Sequence, residues 1–125
     1  MKSRWIGRWI VAVSVLHTIF GLVVFGEDLM QIAREGFWNS IGEDARAGAV
    51  AWFMLSGFLM TALGVAVDSL ERAATPGSLR ATGIVLLLTT LLGIVLMPAS
   101  GFWLMLPSAV AMLWRRNLPL TREAA

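Results

Sequence analysis

The chain has 125 residues, of which 58% are hydrophobic and 14% charged, with a mean hydropathy of +0.76. Soluble domains run at about 45–50% apolar and about 25% charged, so this composition speaks against a water-soluble fold and for one domain, residues 1–125, that a bilayer helps to hold together. There is no Cys and a single His, which excludes disulfides, thiolate metal sites and thiol nucleophiles. The formal charge of +2 does not signal nucleic acid, because the basic residues flank apolar runs instead of forming a stripe interleaved with aromatics.

In chain order, Lys2, Arg4 and Arg8 precede an apolar run from Trp5 to Phe25. Its length, near the roughly 20 residues a spanning helix needs, and the lack of an Ala-x-Ala site favour a spanning helix over a cleaved signal peptide. Glu27 to Glu35 has Leu29, Ile32 and Ala33 on one face and Asp28, Gln31 and Arg34 on the other, with Gly36 at its end. That pattern predicts a short amphipathic helix on the membrane surface, with Phe37 and Trp38 in the interfacial belt. Ser40-Ile41-Gly42-Glu43 has the form of a capping box and is expected to open the next helix, whose apolar part is residues 47–67.

Thr75 to Ser78 reads as a turn. No charged side chain then occurs from Ala81 to Trp114, and only Met97-Pro98-Ala99-Ser100-Gly101-Phe102-Trp103 interrupts the apolar run. Two helices, residues 79–97 and 102–114, are expected around a tight hairpin, with Pro107 removing one hydrogen bond inside the last. The expected architecture is therefore all-α: an integral membrane four-helix bundle with spans at 5–25, 47–67, 79–97 and 102–114. Lys2, Arg4, Arg8, Arg72, Arg80, Arg115, Arg116 and Arg122 fall on one side and only Arg34 and Arg46 on the other. The positive-inside rule then makes the N- and C-termini cytoplasmic and the amphipathic helix between helices 1 and 2 outer.

Membrane helices pack through small residues. Gly7, Ser14, His17 and Gly21 form one stripe; Gly57, Thr61 and Gly64 a second; Gly83, Thr90 and Gly93 a third; Ser108 and Ala111 stand on the last helix. All are expected to face inward. His17, Ser56, Thr90 and Ser108 fall at similar depth, so they form a candidate polar layer, beside Trp103, that either fixes packing or binds a ligand. Trp52 is expected to pack within the bundle. Haem ligation would need a second axial ligand that the chain does not offer as His, and Ser14 with His17 lacks an orienting acid, so neither a cofactor nor catalysis is expected. The scattered Met residues read as core filling and not as a copper site. No Asp or Glu falls within the apolar spans, which speaks against a proton-coupled exporter of the small multidrug-resistance type.

Gly7-Arg8-Trp9-Ile10 and Leu16-His17-Thr18-Ile19-Phe20-Gly21, together with Leu96-Met97-Pro98-Ala99-Ser100-Gly101-Phe102-Trp103-Leu104, resemble a family of small bacterial four-helix membrane proteins of unknown function. The likeness covers about Gly7 to Arg116 and implies a multi-pass protein of the bacterial inner (plasma) membrane, with no activity or ligand attached. Two functional readings stand beside each other. One is a non-enzymatic protein in contact with membrane lipid that binds a lipid or apolar small molecule. The other is an interaction subunit, as a homo-oligomer or within a larger membrane complex. Neither involves nucleic acid.

Overall fold

A computed structural model describes residues 4–74 and 76–115. Helix α1 (Ile6–Val24) passes through Phe25 into α2 (Gly26–Arg34) without losing the hydrogen-bond ladder: the Phe25 amide donates to the Gly21 carbonyl and the Leu29 amide to the Phe25 carbonyl, each at 2.9 Å. Helix α2 carries Glu27 and Asp28 in its first turn and Arg34 in its last, matching the helix dipole. Gly36, at φ +85°, and Phe37, at φ +63°, close it: the Gly36 amide donates to Ala33 and the Phe37 amide to Ile32, so left-handed backbone at two successive residues satisfies two terminal carbonyls.

Helix α3 (Ala45–Ala73) starts later than the capping-box pattern predicts. Gly42, at φ +48°, breaks the helical path, and the Ser40 hydroxyl donates to the Phe37 carbonyl instead of capping. The cap is Asp44, in extended backbone, whose Oδ1 accepts from the amides of Arg46 (2.9 Å) and Ala47 (3.2 Å). At the other end Ala74 adopts left-handed backbone, and α4 (Pro76–Leu96) begins directly, using proline at its first position where no amide bond is lost. The predicted four-residue turn is thus shorter, and Thr75 lies outside the described residues, as do Lys2, Arg116 and Arg122.

After Leu96 the chain turns and forms a 3₁₀ segment (Gly101–Met105), with Ser100 Oγ near the Phe102 amide at 3.4 Å, and then α5 (Leu106–Trp114). Pro107 therefore stands in the first turn of α5, not inside a longer helix, and breaks no helical bond. The described residues are all-α, without strands, and three helices, α1, α3 and α4, are long and apolar enough to cross a membrane.

Helix α1 packs mainly on α3, and α4 on α5; α1 also meets α5 and the 3₁₀ segment, and α3 meets α4, whereas the backbones of α1 and α4 nowhere come within 8 Å between Cα atoms. Ile6, Ile10 and Val13 of α1 share one core with Val67, Leu79, Leu86, Met105, Ala109 and Met112. Outward faces stay apolar: Val23, Leu59, Val85 and Val95 are exposed. Trp52 is 68% exposed and so belongs to this outer wall, not to the bundle interior. An apolar exterior around small-residue interiors inverts the soluble pattern and matches proteins whose solvent is lipid.

Candidate binding site at the seam of the first and third helices

Helices α1 and α3 run antiparallel along two matching stripes. Gly7, Ser14 and Gly21 are buried on α1, and Gly57, Gly64 and Glu71 on α3, each set repeating every seven residues. The glycines are needed for approach. A Cβ on Gly64 would stand 2.9 Å from the Val11 amide nitrogen and 3.0 Å from the Gly7 carbonyl oxygen, both backbone atoms that cannot step aside. A Cβ on Gly7 would meet the Asp68 backbone. Midway, Ser14 Oγ and Thr61 Oγ1 lie 2.9 Å apart, with the Val11 carbonyl 2.7 Å from the first and the Gly57 carbonyl 3.1 Å from the second. Each hydroxyl has one proton, so the relay runs Thr61 to Ser14 to Val11, or Ser14 to Thr61 to Gly57, and either order satisfies the seam.

His17 sits on this seam. Its Nε2 lies 2.9 Å from the Phe53 carbonyl oxygen and 3.2 Å from Ser56 Oγ, while Ser56 Oγ donates to the same carbonyl at 2.7 Å. A carbonyl only accepts, so the His17 Nε2 carries a proton and donates it. In the neutral ring Nδ1 is then an acceptor, and no hydrogen bond reaches it among the described residues. One face of the ring stacks on Phe53 with centroids 4.0 Å apart, and Phe53 in turn meets Phe25 edge-on at 5.3 Å. The Cδ2 side lies against Gly57, where a Cβ would come within 3.0 Å of it. Phe53, Ser56 and Gly57 of α3 thus pack one ring face, Nε2 and the Cδ2 side; the residue as a whole is half-buried, and Nδ1 is not among the buried polar atoms without a partner.

The predicted polar layer divides. His17 and Ser56 meet. Thr90 and Ser108 are buried on α4 and α5, and Thr90 is set apart from His17 because the α4 backbone stays more than 8 Å from that of α1 between Cα atoms. Ser108 Oγ is buried and has no hydrogen-bond partner among the described residues. Trp103 is 53% exposed and its indole nitrogen donates to the Pro98 carbonyl at 2.9 Å, bracing the turn. The indole of Trp9 donates to the Leu104 carbonyl at 2.7 Å, which ties α1 to the 3₁₀ segment.

Sequence reasoning missed Glu71, which lies inside α3 near its end, with its side chain wholly buried. One carboxylate oxygen accepts from the Gly7 amide at 2.9 Å, capping the start of α1 from another helix, and the other pairs with Arg115 at 2.6 Å. Asp68, one turn earlier, pairs with Arg72. Both acids stand in the last turns of α3, beyond its apolar stretch 47–67, which itself holds no Asp or Glu. The signal was present: Glu71 follows Gly57 and Gly64 at the same seven-residue step. At the other end of α3, Arg46 pairs bidentately with Asp28 of α2 (2.8 and 3.1 Å), and this bond holds the Asp28 carboxyl below its usual range. A shallow cleft of about 200 Å³ lies beside it, lined by Asp28, Gln31, Glu35, Ser40 and Asp44 among others. Among the described residues no three His, Cys, Asp or Glu side chains converge as metal ligands would.

A family model described as a family of unknown function (DUF6463) matches residues 1–119, and the chain belongs to that family. No curated protein and no solved structure matches it.

Proposed function

We propose that this member of the family is a multi-pass protein of the bacterial inner membrane that binds a lipid or apolar small molecule without transforming it. The observation that carries the reading is His17: a half-buried ring held by the Phe53 carbonyl, the Phe53 ring and Gly57, whose Nδ1 has no partner among the described residues and is not fully buried. An ionisable side chain inside a spanning helix is costly, and such residues mark ligand or ion sites more often than lipid-facing surface. At 1.5 Å per residue His17 lies about 15 Å from the Gly7–Glu71 bond, half of a core about 30 Å thick.

Four crossings with both termini cytoplasmic fit this reading. The 3₁₀ segment and α5 together rise about 23 Å, and Arg115 at their end returns to the level of Gly7 and Glu71. The basic residues Arg4, Arg8, Arg72, Arg80 and Arg115 cluster at that end, as cytoplasmic residues do. Ser56 and Phe53 fix the His17 ring, and Thr90, Ser108 and Trp103 support the neighbouring helix pair and the turn. Native mass spectrometry of gently extracted protein should show a retained adduct that His17→Ala loses. Wild type and variant that are equally empty would overturn the reading; an assembly with a second polypeptide in that state would favour an interaction subunit instead.

A further inference from the structure

The hydrogen-bond geometry around His17 specifies the chemistry of what the site takes, given the binding reading above. Nε2 must be the protonated nitrogen, because at 2.9 Å it faces a carbonyl oxygen that can only accept. Ser56 does not reverse this: were its proton given to Nε2, that nitrogen and the Phe53 carbonyl oxygen would face each other as two acceptors at 2.9 Å. A ring flip would put Cε1 in place of Nε2 and lose the bond to the Phe53 carbonyl, and would turn Nδ1 toward Gly57 in place of Cδ2, so the bond and the stack on Phe53 hold the ring as it stands. Nδ1 is left as a lone-pair acceptor with no partner among the described residues, and it is not one of the fully buried unpartnered atoms, so it is open to a ligand. Lipid tails offer no donor, so at this depth the acceptor stays unsatisfied until something brings a proton-bearing group.

We propose that the His17 site selects a lipid-soluble molecule carrying a hydroxyl, whose O–H donates to Nδ1, over an otherwise equal molecule without one. Discrimination of this kind comes from the site and not from the apolar wall. A built hydrogen-bonding group rejects an analogue lacking the matching donor, whereas an apolar pocket barely distinguishes the two. Ser56 and Gly57 act as positioning residues: one shares the carbonyl that orients the ring, the other gives the ring room.

His17 is the only histidine, so the full-length protein labelled with ¹⁵N-histidine gives one assigned pair of ring nitrogens. Nanodiscs of phosphatidylcholine, which has no hydroxyl, provide the blank. There Nε2 should resonate as protonated and Nδ1 as unprotonated. The probes are 4-nonylphenol and its methyl ether, 4-nonylanisole, which differ only in the donor. The phenol should move the Nδ1 resonance toward the protonated position and bind about three- to tenfold more tightly than the ether, the range one added hydrogen bond supplies. Nanodiscs containing phosphatidylglycerol test a headgroup hydroxyl. A shift with that lipid alone assigns the donor to the bilayer, and a shift only with the phenol assigns it to a free ligand. Equal binding of phenol and ether with an unmoved Nδ1 overturns the donor inference and leaves the binding reading standing. No binding of either probe or lipid overturns both. A blank spectrum with Nδ1 already protonated overturns the tautomer on which the inference rests. All these readouts use the wild-type chain, so none depends on whether His17→Ala folds.

Discussion

Removing Arg115 should be among the most damaging changes to a residue outside the apolar core. The Glu71 side chain is wholly buried and has two partners, the Gly7 amide at 2.9 Å and Arg115 at 2.6 Å. Arg115→Ala leaves the carboxylate with one neutral donor. Breaking a buried pair from one side costs about 3–5 kcal/mol. The Arg115 side chain is 20% exposed, so water reaches part of the gap and roughly 2–3 kcal/mol is the better expectation. Glu71→Gln keeps an acceptor for Gly7 and removes the stranded charge, which should cost about 1 kcal/mol. Because Arg115 has further interactions, the cycle and not the single variant isolates the pair. The double variant Glu71→Gln/Arg115→Ala should fall within about 1 kcal/mol of Glu71→Gln alone. Equilibrium unfolding in bicelles by titration with sodium dodecyl sulfate, followed by tryptophan fluorescence, measures all three. The reasoning fails if Arg115→Ala costs under about 0.5 kcal/mol, or if the double variant loses the sum of the single losses.

Three other expectations use the same unfolding assay or hydrogen exchange. Ser108→Ala removes a buried hydroxyl that has no partner among the described residues, so it should leave stability unchanged or raise it by up to about 1 kcal/mol. Ser14→Ala, which breaks the Thr61 relay, should lower stability by roughly 0.6–1.7 kcal/mol, the range measured for hydrogen bonds between membrane helices. The Asp28–Arg46 pair lowers the Asp28 value below the usual 3.8. A depressed carboxyl stabilises the folded state above its unfolded value and loses that contribution as pH falls through the folded one. Protection of α2 amides should therefore persist at pH 4 and decline below it, and Asp28→Asn should remove this pH dependence.

The long apolar runs made α1, α3 and α4 legible, because length and hydropathy alone decide that class of helix. The small-residue stripes were equally readable: Gly7, Ser14, Gly21, Gly57, Gly64, Gly83, Thr90 and Gly93 are all buried, since close approach leaves no room for larger side chains. Ser40-x-x-Glu43 misled because a capping box records only side-chain types, whereas Asp44 wins through the backbone turn at Gly42. Depth counted along each helix placed His17 beside Ser56 correctly but also grouped Thr90 and Ser108 with them. Depth carries no information about which helices approach closely: α3 lies against α1, whereas no Cα of α4 comes within 8 Å of one in α1. Glu71 was passed over because hydropathy ends the span before it, although its seven-residue step from Gly64 places it on the inward face.

The Glu71 bond and the His17 contact lie along one α1–α3 seam, and Gly64→Ala tests whether the two are linked. Gly64 stands seven residues from Glu71 and seven from Gly57, about 10 Å along α3 in each direction. A methyl there would lie 2.6 Å from Val11 Cγ2, 2.9 Å from the Val11 amide nitrogen and 3.0 Å from the Gly7 carbonyl oxygen. The valine methyl can rotate away, but the two backbone atoms move only if α1 is pushed outward as a unit. Overpacking of this kind costs about 1–3 kcal/mol. The same displacement separates the Gly7 amide from Glu71 and draws His17 away from the Phe53 carbonyl, so the Nε2 resonance should change although the substitution lies far from the ring. Gly26→Ala, where nothing stands within 4 Å of the added methyl, is the control and should leave the His17 spectrum as in wild type. If Gly64→Ala lowers stability yet the His17 nitrogens are unmoved, the seam bends locally and the two ends are independent. If both change together, the register of α1 on α3 holds the ring in place, and the acidic clasp at one end helps set the geometry of the site at the other.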